Sequence, residues 1–280
     1  MHTEQAYKHC KMVIEKHSKT FSKAFQHLPK AKRQAVWAVY AFCRTADDLV
    51  DEGTNQEEDL DQFEQELMQF EQGAVPRERL LWTALSDTFS RFDFDLKPFY
   101  DMIAGQRMDL RSRSYTSVEE VLDYSYHVAS TVGLMLLPIL APGKENDLRP
   151  SAIKLGYAMQ LTNILRDVGE DIRLGRKYLP DDLMKEYGYT REMLEAGIVN
   201  ESFVQVWERL ATLAESFYQE GLQDIHLYSP AARLPVQAAA YFYREILQTA
   251  RNNRYDVFKQ RAVVSTETKQ HILSGLALSK

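Results

Sequence analysis

Apolar residues recur along this chain at three- and four-residue intervals, and nowhere does a run alternate apolar and polar positions long enough to build a half-buried strand. That property restricts the fold to packed helices. Tyr7, Cys10, Val13 and Ile14 mark a first helix over residues 4–17. Ala35, Val36, Val39, Phe42 and Ala46 form the buried stripe of a second, which starts near Pro29 and stops at Gly53. An acidic helix over 57–71 turns Leu60, Phe63, Leu67 and Phe70 inward, and Gly73 closes it. Pro76 and Pro98 open two more, the second with Phe99, Met102, Ile103 and Gln106 on its inner face. Ser117-Val-Glu-Glu120 has the form of a capping box before a long apolar helix through Val121, Tyr124, Val128, Val132 and Leu136. Pro150 opens the next, and further helices follow Pro180, span about 202–226 and 230–253, and follow Thr266. The stretch 17–22, His-Ser-Lys-Thr-Phe-Ser, is rich in hydroxyls and is expected to be a mobile loop or flap.

Twelve glycines and nine prolines in 280 residues leave little material for linkers, and there is no repeat or low-complexity tract. The expectation is one all-α domain over residues 1–280, its helices enclosing a central cavity. A formal net charge of −6 gives no basic field to attract nucleic acid. Cys10 and Cys43 are too few and too scattered for a disulfide framework or a zinc site, which fits a reducing cytoplasm. The N-terminus lacks a signal-peptide pattern, and the best apolar run, 132–140, is short and carries Pro138. A cytoplasmic protein that touches a membrane only at its surface is expected.

Against that background Asn163-Ile-Leu-Arg-Asp167-Val-Gly-Glu-Asp171 stands out. Asn163, Asp167 and Asp171 recur every fourth residue and rise along roughly one helix face, with Gln160 one turn earlier. Oxygen donors stacked on a rigid helix suit a hard divalent cation, and Mg²⁺ held by a few carboxylates completes its shell with water and substrate phosphate. A second cluster, Asp47-Asp48-Leu-Val-Asp51, lies more than a hundred residues upstream. Asp47 and Asp51 share a face, Asp48 is turned away by about 100°, and Arg44 and Tyr40 precede them at one-turn steps. Two such clusters facing each other would hold a metal-bridged diphosphate between them.

Each feature also has a plainer reading. Alone, the first cluster is a solvated helix end, and the second a helix C-terminus that draws Arg166, Arg173, Arg176 and Lys177 to the negative end of its dipole. Yet Asp167, Glu170 and Asp171 crowd that same negative end, a conflict a bound cation would relieve. Lys19, Arg44, Arg166, Arg176 and Arg261 are candidate partners for diphosphate oxygens, together with the hydroxyls of Ser18, Thr20 and Ser22. Phe21, Phe25, Ala129, Val132, Gly133, Leu136 and Ala158 are either core or the lining of an apolar tunnel. Tyr124 and Tyr243 each place one polar tip on an apolar helix, as a satisfied core hydroxyl or as a phenol that stabilises a carbocation or takes a proton. No histidine has a metal-ligand neighbour and there is no glycine-rich phosphate loop, which disfavours nucleotide-dependent phosphoryl transfer.

Taken in order, His17-Ser-Lys-Thr-Phe21, Ala35-Val-Trp-Ala-Val-Tyr-Ala-Phe-Cys-Arg44-Thr-Ala-Asp47-Asp48-Leu-Val-Asp51, the Asn163 to Asp171 motif and Gly175-Arg-Lys-Tyr-Leu-Pro180 resemble the squalene/phytoene synthase family. The resemblance extends to Arg261-Ala-Val-Val. It implies a single-domain isoprenoid-synthase helical fold around a central cavity, and head-to-head condensation of two allylic diphosphates. Several Mg²⁺ ions held by the two acidic motifs would draw off one diphosphate, and the resulting allylic cation would close on the second substrate to a cyclopropyl (presqualene) diphosphate. By position Asp47, Asp51, Asn163, Asp167 and Asp171 match the metal ligands, while Asp48 belongs to its motif but points away. Ser18, Phe21, Phe25, Arg44, Gln160, Asn163, Arg166, Tyr243 and Arg261 match substrate-binding positions, and Tyr124, Arg44 and Tyr40 lie nearest the reacting centre.

Within the family, the N-terminal run, the short length and the lack of a C-terminal anchor resemble the bacterial dehydrosqualene branch. That branch takes farnesyl diphosphate, needs no NADPH and feeds carotenoid biosynthesis. The phytoene branch, which takes geranylgeranyl diphosphate, shares nearly all of these motifs, and the squalene branch reduces its product with NADPH. Phe25, Leu136 and Leu137 are bulky candidates for a tunnel floor suited to the shorter chain. A terpene cyclase would carry Ser or Thr, then Glu, where Asp167 and Asp171 stand, and a non-catalytic assembly partner would have lost the acids. An apolar product implies peripheral contact with the inner face of the cell membrane and a downstream carotenoid desaturase.

Overall fold

The structure, a computed structural model, describes residues 2–51, 53–74, 76, 80–111 and 114–278. Every regular element among them is helical, and an isolated bridge pairs Ser114 with Lys177. In chain order the helices are α1 (His2–His17), α2 (Lys19–Phe25), α3 (Lys30–Asp51), α4 (Gln56–Glu71), α5 (Leu80–Phe89) and α6 (Lys97–Arg111). Next come α7 (Val118–Ser125), a π-helical turn (Tyr126–Ser130), α8 (Thr131–Leu140), α9 (Glu145–Arg173), α10 (Asp181–Glu186) and α11 (Arg191–Glu195). Then α12 (Glu201–Leu222), a 3₁₀ turn (Ile225–Leu227), α13 (Pro230–Asn252) and α14 (Thr266–Leu278) complete the single all-α domain.

Three details depart from the sequence reading. Residues 19–25 are helix rather than flap, because the Ser18 hydroxyl accepts from the Phe21 N–H at 3.3 Å and Phe25 is driven into the core. Helix α9 begins at Glu145, not Pro150, so the proline sits inside it and gives up one backbone hydrogen bond. The long apolar helix is interrupted by the π turn at Tyr126–Ser130, which carries Val128 and Ala129. The expected cap forms with its return bond shifted by one residue: Ser117 accepts from the Glu120 N–H at 3.3 Å, and Glu120 accepts from the Thr116 N–H at 2.6 Å. The start expected at Pro76 runs through residues 77–79, which lie outside the described residues.

Two long helices hold the site. On its buried side α3 is anchored by Phe42, whose ring lies 5.0 Å from that of Phe63 and 4.9 Å from that of Phe99. Its other face, with Tyr40, Arg44 and Asp47, is thereby turned away from the core of α4, α5 and α6. Helix α9 packs against α8, α12, α13 and the π turn, and Trp207 of α12 donates its indole N–H to the Leu165 carbonyl at 3.1 Å. Glycines permit two of its contacts: a Cβ at Gly156 would lie 2.3 Å from the Cα of Ser130, and one at Gly169 would lie 2.5 Å from that of Phe258. The second contact lays the segment after α13 along α9 and brings Arg261 to the acids.

Candidate active site

Both acidic motifs open onto one cavity of about 760 Å³. Tyr40, Arg44, Asp47 and Asp51 reach it from α3, and Gln160, Asn163, Arg166 and Asp167 from α9. Ser18, Lys19 and Phe21 contribute from the start of α2, Tyr243 from α13, and Arg261 and Lys269 from the C-terminal segment. Lys269 was not singled out by the sequence, since nothing in α14 resembles a motif. Its Nζ donates to Thr20 Oγ1 at 2.9 Å, joining α14 to α2 across the cavity.

The carboxylates are held by arginines. Arg44 donates to Asp47 Oδ2 at 2.6 Å and also pairs with Asp48. Arg166 grips both oxygens of Asp167, Nε at 2.8 Å from Oδ1, and Arg261 reaches the same carboxylate at 3.0 Å and Glu170 at 3.9 Å. Arg176 donates to Asp51 Oδ1 at 2.8 Å, while its backbone N–H donates to the Asp171 carbonyl at 2.9 Å, which ties the ends of the two walls together. The acids remain under-neutralised even so. Burial, reinforced by Asp51, pushes the Asp47 carboxyl up to about 6, and burial, reinforced by Asp167, pushes that of Asp171 up to about 8.

Three of the expected site residues do not line the main cavity. Four residues advance a helix by about 400°, so the face drifts by about 40° per step. Asp171 accordingly lies round the helix and lines a small adjoining cavity with Arg176 and Tyr178 rather than the main one. Tyr124 does not line the main cavity; its hydroxyl donates to Asp109 Oδ2 at 2.8 Å, and the Tyr178 hydroxyl donates to Asp109 Oδ1 at 2.7 Å. Burial raises the Tyr124 phenol well above its usual range, so it keeps its proton and donates to Asp109. Phe25 lies deeper, in an apolar arm of about 80 Å³ beyond Phe21, together with Val132, Gly133, Leu136 and Tyr228.

Asp109 is the acid that the sequence reading missed. Burial raises its pKa, and it adds to the like charge felt by Asp47 and Asp171. The signal was present: Asp109 follows Gln106 by one turn on the stripe already assigned to the interior of α6. Two tunnel residues are also reassigned. Ala158 is fully buried behind the lining, and Leu137 borders an outer groove on the far side of α8.

The donor set fits Mg²⁺ shared with a substrate, not a metal caged by protein alone. Among the described residues, no three His, Cys, Asp or Glu side chains converge on a single ion. Instead the carboxylates stand on facing walls, and Asn163 Oδ1 is buried without a hydrogen-bond partner, an oxygen left free to ligate. Mg²⁺ fills its remaining positions with water and phosphate oxygens.

The profile of the squalene/phytoene synthase family matches residues 14–268. A 15-cis-phytoene synthase of Synechococcus elongatus is 38% identical, over 95% of this chain and 90% of its own. A phytoene synthase of Arthrospira platensis is 42% identical, over 96% and 91% respectively. Among solved structures, a dehydrosqualene synthase in complex with ligand superposes with a TM-score of 0.95 at 41% identity, covering 99% of this chain and 97% of that one. With a family profile over residues 14–268, relatives 38% and 42% identical over nearly the whole chain and a shared helical architecture, the chain belongs to the squalene/phytoene synthase family.

Proposed function

We propose that this prenyltransferase joins two molecules of farnesyl diphosphate head to head, through a cyclopropyl diphosphate, to dehydrosqualene, with release of both diphosphates and no reductant. The observation that carries this reading is the arrangement of the cavity: acids on two facing walls, arginines among them, and an apolar arm narrowed by Phe21 and Phe25, whose ring centroids are 4.6 Å apart. In this reading Asp47, Asp51, Asn163, Asp167 and Asp171 hold Mg²⁺, which when bound neutralises the diphosphate and makes it a leaving group.

Arg44, Arg166 and Arg261 orient the acids and offer their remaining N–H groups to diphosphate oxygens, and Ser18, Gln160 and Tyr243 offer neutral contacts. Phe21 and Tyr40, ring centroids 6.0 Å apart, present π faces to the allylic cation. Tyr124, holding its proton, fixes Asp109 behind the metal ligands. The product would suit a carotenoid desaturase.

A second reading takes geranylgeranyl diphosphate to phytoene, and is favoured by relatives 38% and 42% identical that bear that name. The purified protein with Mg²⁺ and each diphosphate in turn, products identified by mass and ultraviolet spectrum, decides between them. The first reading expects a C30 triene-centred product from farnesyl diphosphate. Turnover of geranylgeranyl diphosphate alone would replace it with the second, and turnover of neither would remove both.

A further inference from the structure

Ser229 stands at the start of α13, directly before Pro230, where a serine hydroxyl ordinarily accepts from an amide of the first helical turn. It makes no such bond. Its hydroxyl donates instead to the Leu140 carbonyl at 2.7 Å, and its backbone N–H donates to the same oxygen at 3.1 Å. Lys32 of α3 completes the group, its Nζ donating to Ser229 Oγ at 3.0 Å. Burial lowers the Lys32 amine below the ordinary lysine value, with no neighbouring carboxylate to oppose it. A lysine that leaves water for one neutral oxygen adds little stability by that bond, which directs attention to what the bond holds.

It holds the end of the apolar arm. Leu140 is the last residue of α8, Tyr228 immediately precedes Ser229, and both line the arm. Val132 lines the main cavity as well as the arm. Leu136 and Leu140 follow it at one-turn steps, which places Leu140 about 12 Å farther along α8. Leu140 and Tyr228 are buried while Lys32 and Ser229 are partly exposed, so the bonded group stands between the arm and solvent. The chain ahead of it is held too, because Arg233 donates to the Tyr228 carbonyl at 3.0 Å and to that of His226 at 2.7 Å. Leu140 and Tyr228 therefore separate only if hydrogen bonds break, whereas an apolar neighbour such as Leu136 yields by a change of rotamer.

We propose that Lys32 and Ser229 are positioning residues that bolt the end of α8 to the start of α13 and thereby fix how long a prenyl chain the arm accepts. Neither lines the arm; they act through Leu140 and Tyr228. The inference rests on the prenyl-diphosphate reading of the cavity and holds for either of the two chain lengths considered above.

Calorimetric binding of unreactive prenyl thiodiphosphates with Mg²⁺ tests it, with geranyl, farnesyl, geranylgeranyl and geranylfarnesyl chains taken in turn. The unaltered protein should show a length beyond which affinity falls. Lys32→Met keeps the apolar stem and removes the amine, and Ser229→Ala removes the hydroxyl that joins both partners. Each should raise affinity for the first rejected chain by about fivefold and leave that for the longest accepted chain within about twofold. Ser229→Thr keeps the hydroxyl and should bind as the unaltered protein does. Arg251→Met loosens α13 against α12 away from the arm and should leave the length profile unmoved. Circular dichroism and thermal unfolding, measured alongside, check that each variant is folded. A profile unmoved in either Lys32→Met or Ser229→Ala, one moved equally in Arg251→Met, or equal affinity of the unaltered protein for all four chains would overturn the bolt and leave the diphosphate reading intact. Binding of none of the four by the unaltered protein would remove both.

Discussion

Two sets of helix-borne carboxylates held by arginine behave in opposite ways. Between α12 and α13, Arg251 donates to both oxygens of Glu208 at 2.9 Å and to Glu215 at 2.8 Å, and Tyr255 adds a bond to Glu208 at 2.8 Å. The Arg251 hydrogen bonds hold Glu208 below its ordinary range. At the cavity Arg44, Arg166, Arg176 and Arg261 are all engaged, yet Asp47 and Asp171 are pushed up to about 6 and about 8. The difference is first one of burial, which raises Asp47 and Asp171 and is outweighed by the Arg251 bonds at Glu208, and then of neighbouring acids, Asp109 among them. Excess buried carboxylate is costly unless a cation joins it, so it marks a place where a cation is expected to act.

The largest test of that contrast is Asp167→Asn, which should lower turnover by ~10³-fold with the far-ultraviolet circular dichroism unchanged; unaltered turnover would remove its metal role. Next is Phe25→Ala, which opens the apolar arm. The ratio of geranylgeranyl to farnesyl diphosphate turnover should rise by about tenfold, at a stability cost of roughly 3 kcal/mol. A ratio that does not move would place the chain-length limit elsewhere, with Leu136 and Tyr228 the adjoining candidates. Arg251→Met, on the balanced side of the comparison, should cost about 1–3 kcal/mol in denaturant unfolding and leave the kcat of the folded enzyme within a factor of about two.

The last test is on pH. In metal-free protein the folded pKa values of Asp47 and Asp171 lie above the usual carboxylate value of about 4. The stability gained from their neutral forms is present in full below that value and lost as pH rises through about 6 and then about 8. Melting temperature should therefore fall across that window, by roughly 2–4 °C for each kcal/mol lost. Mg²⁺ with inorganic diphosphate should flatten the slope. A slope of the opposite sign, or one indifferent to Mg²⁺, would contradict the imbalance.

Much of this was legible because helices translate spacing into faces. The stripes of α3 and the end of α9 gave their acids, and Gly175 gave the end of α9. What escaped depended on geometry that spacing only approximates. A four-residue repeat drifts round the helix, so Asp171 parts company with Asn163; a hydroxyl-rich stretch became α2 because Phe25 had a core to enter. Tyr124 was read toward the cavity, but its partner Asp109 comes from a different helix, and no pattern within α7 names that partner. Lys269 reaches the site because α14 packs on α13, a packing relation invisible to residue type.

The central claim is that the surplus acids act on a diphosphate through Mg²⁺. Single-turnover release of diphosphate from farnesyl and from geranylgeranyl diphosphate, followed with and without Mg²⁺ in the unaltered protein, Asp167→Asn and Arg251→Met, addresses it most directly. The account predicts rapid Mg²⁺-dependent release from one or both substrates in the unaltered protein and in Arg251→Met, and loss of that release in Asp167→Asn. Equal release without Mg²⁺, or equal release from Asp167→Asn, would contradict it.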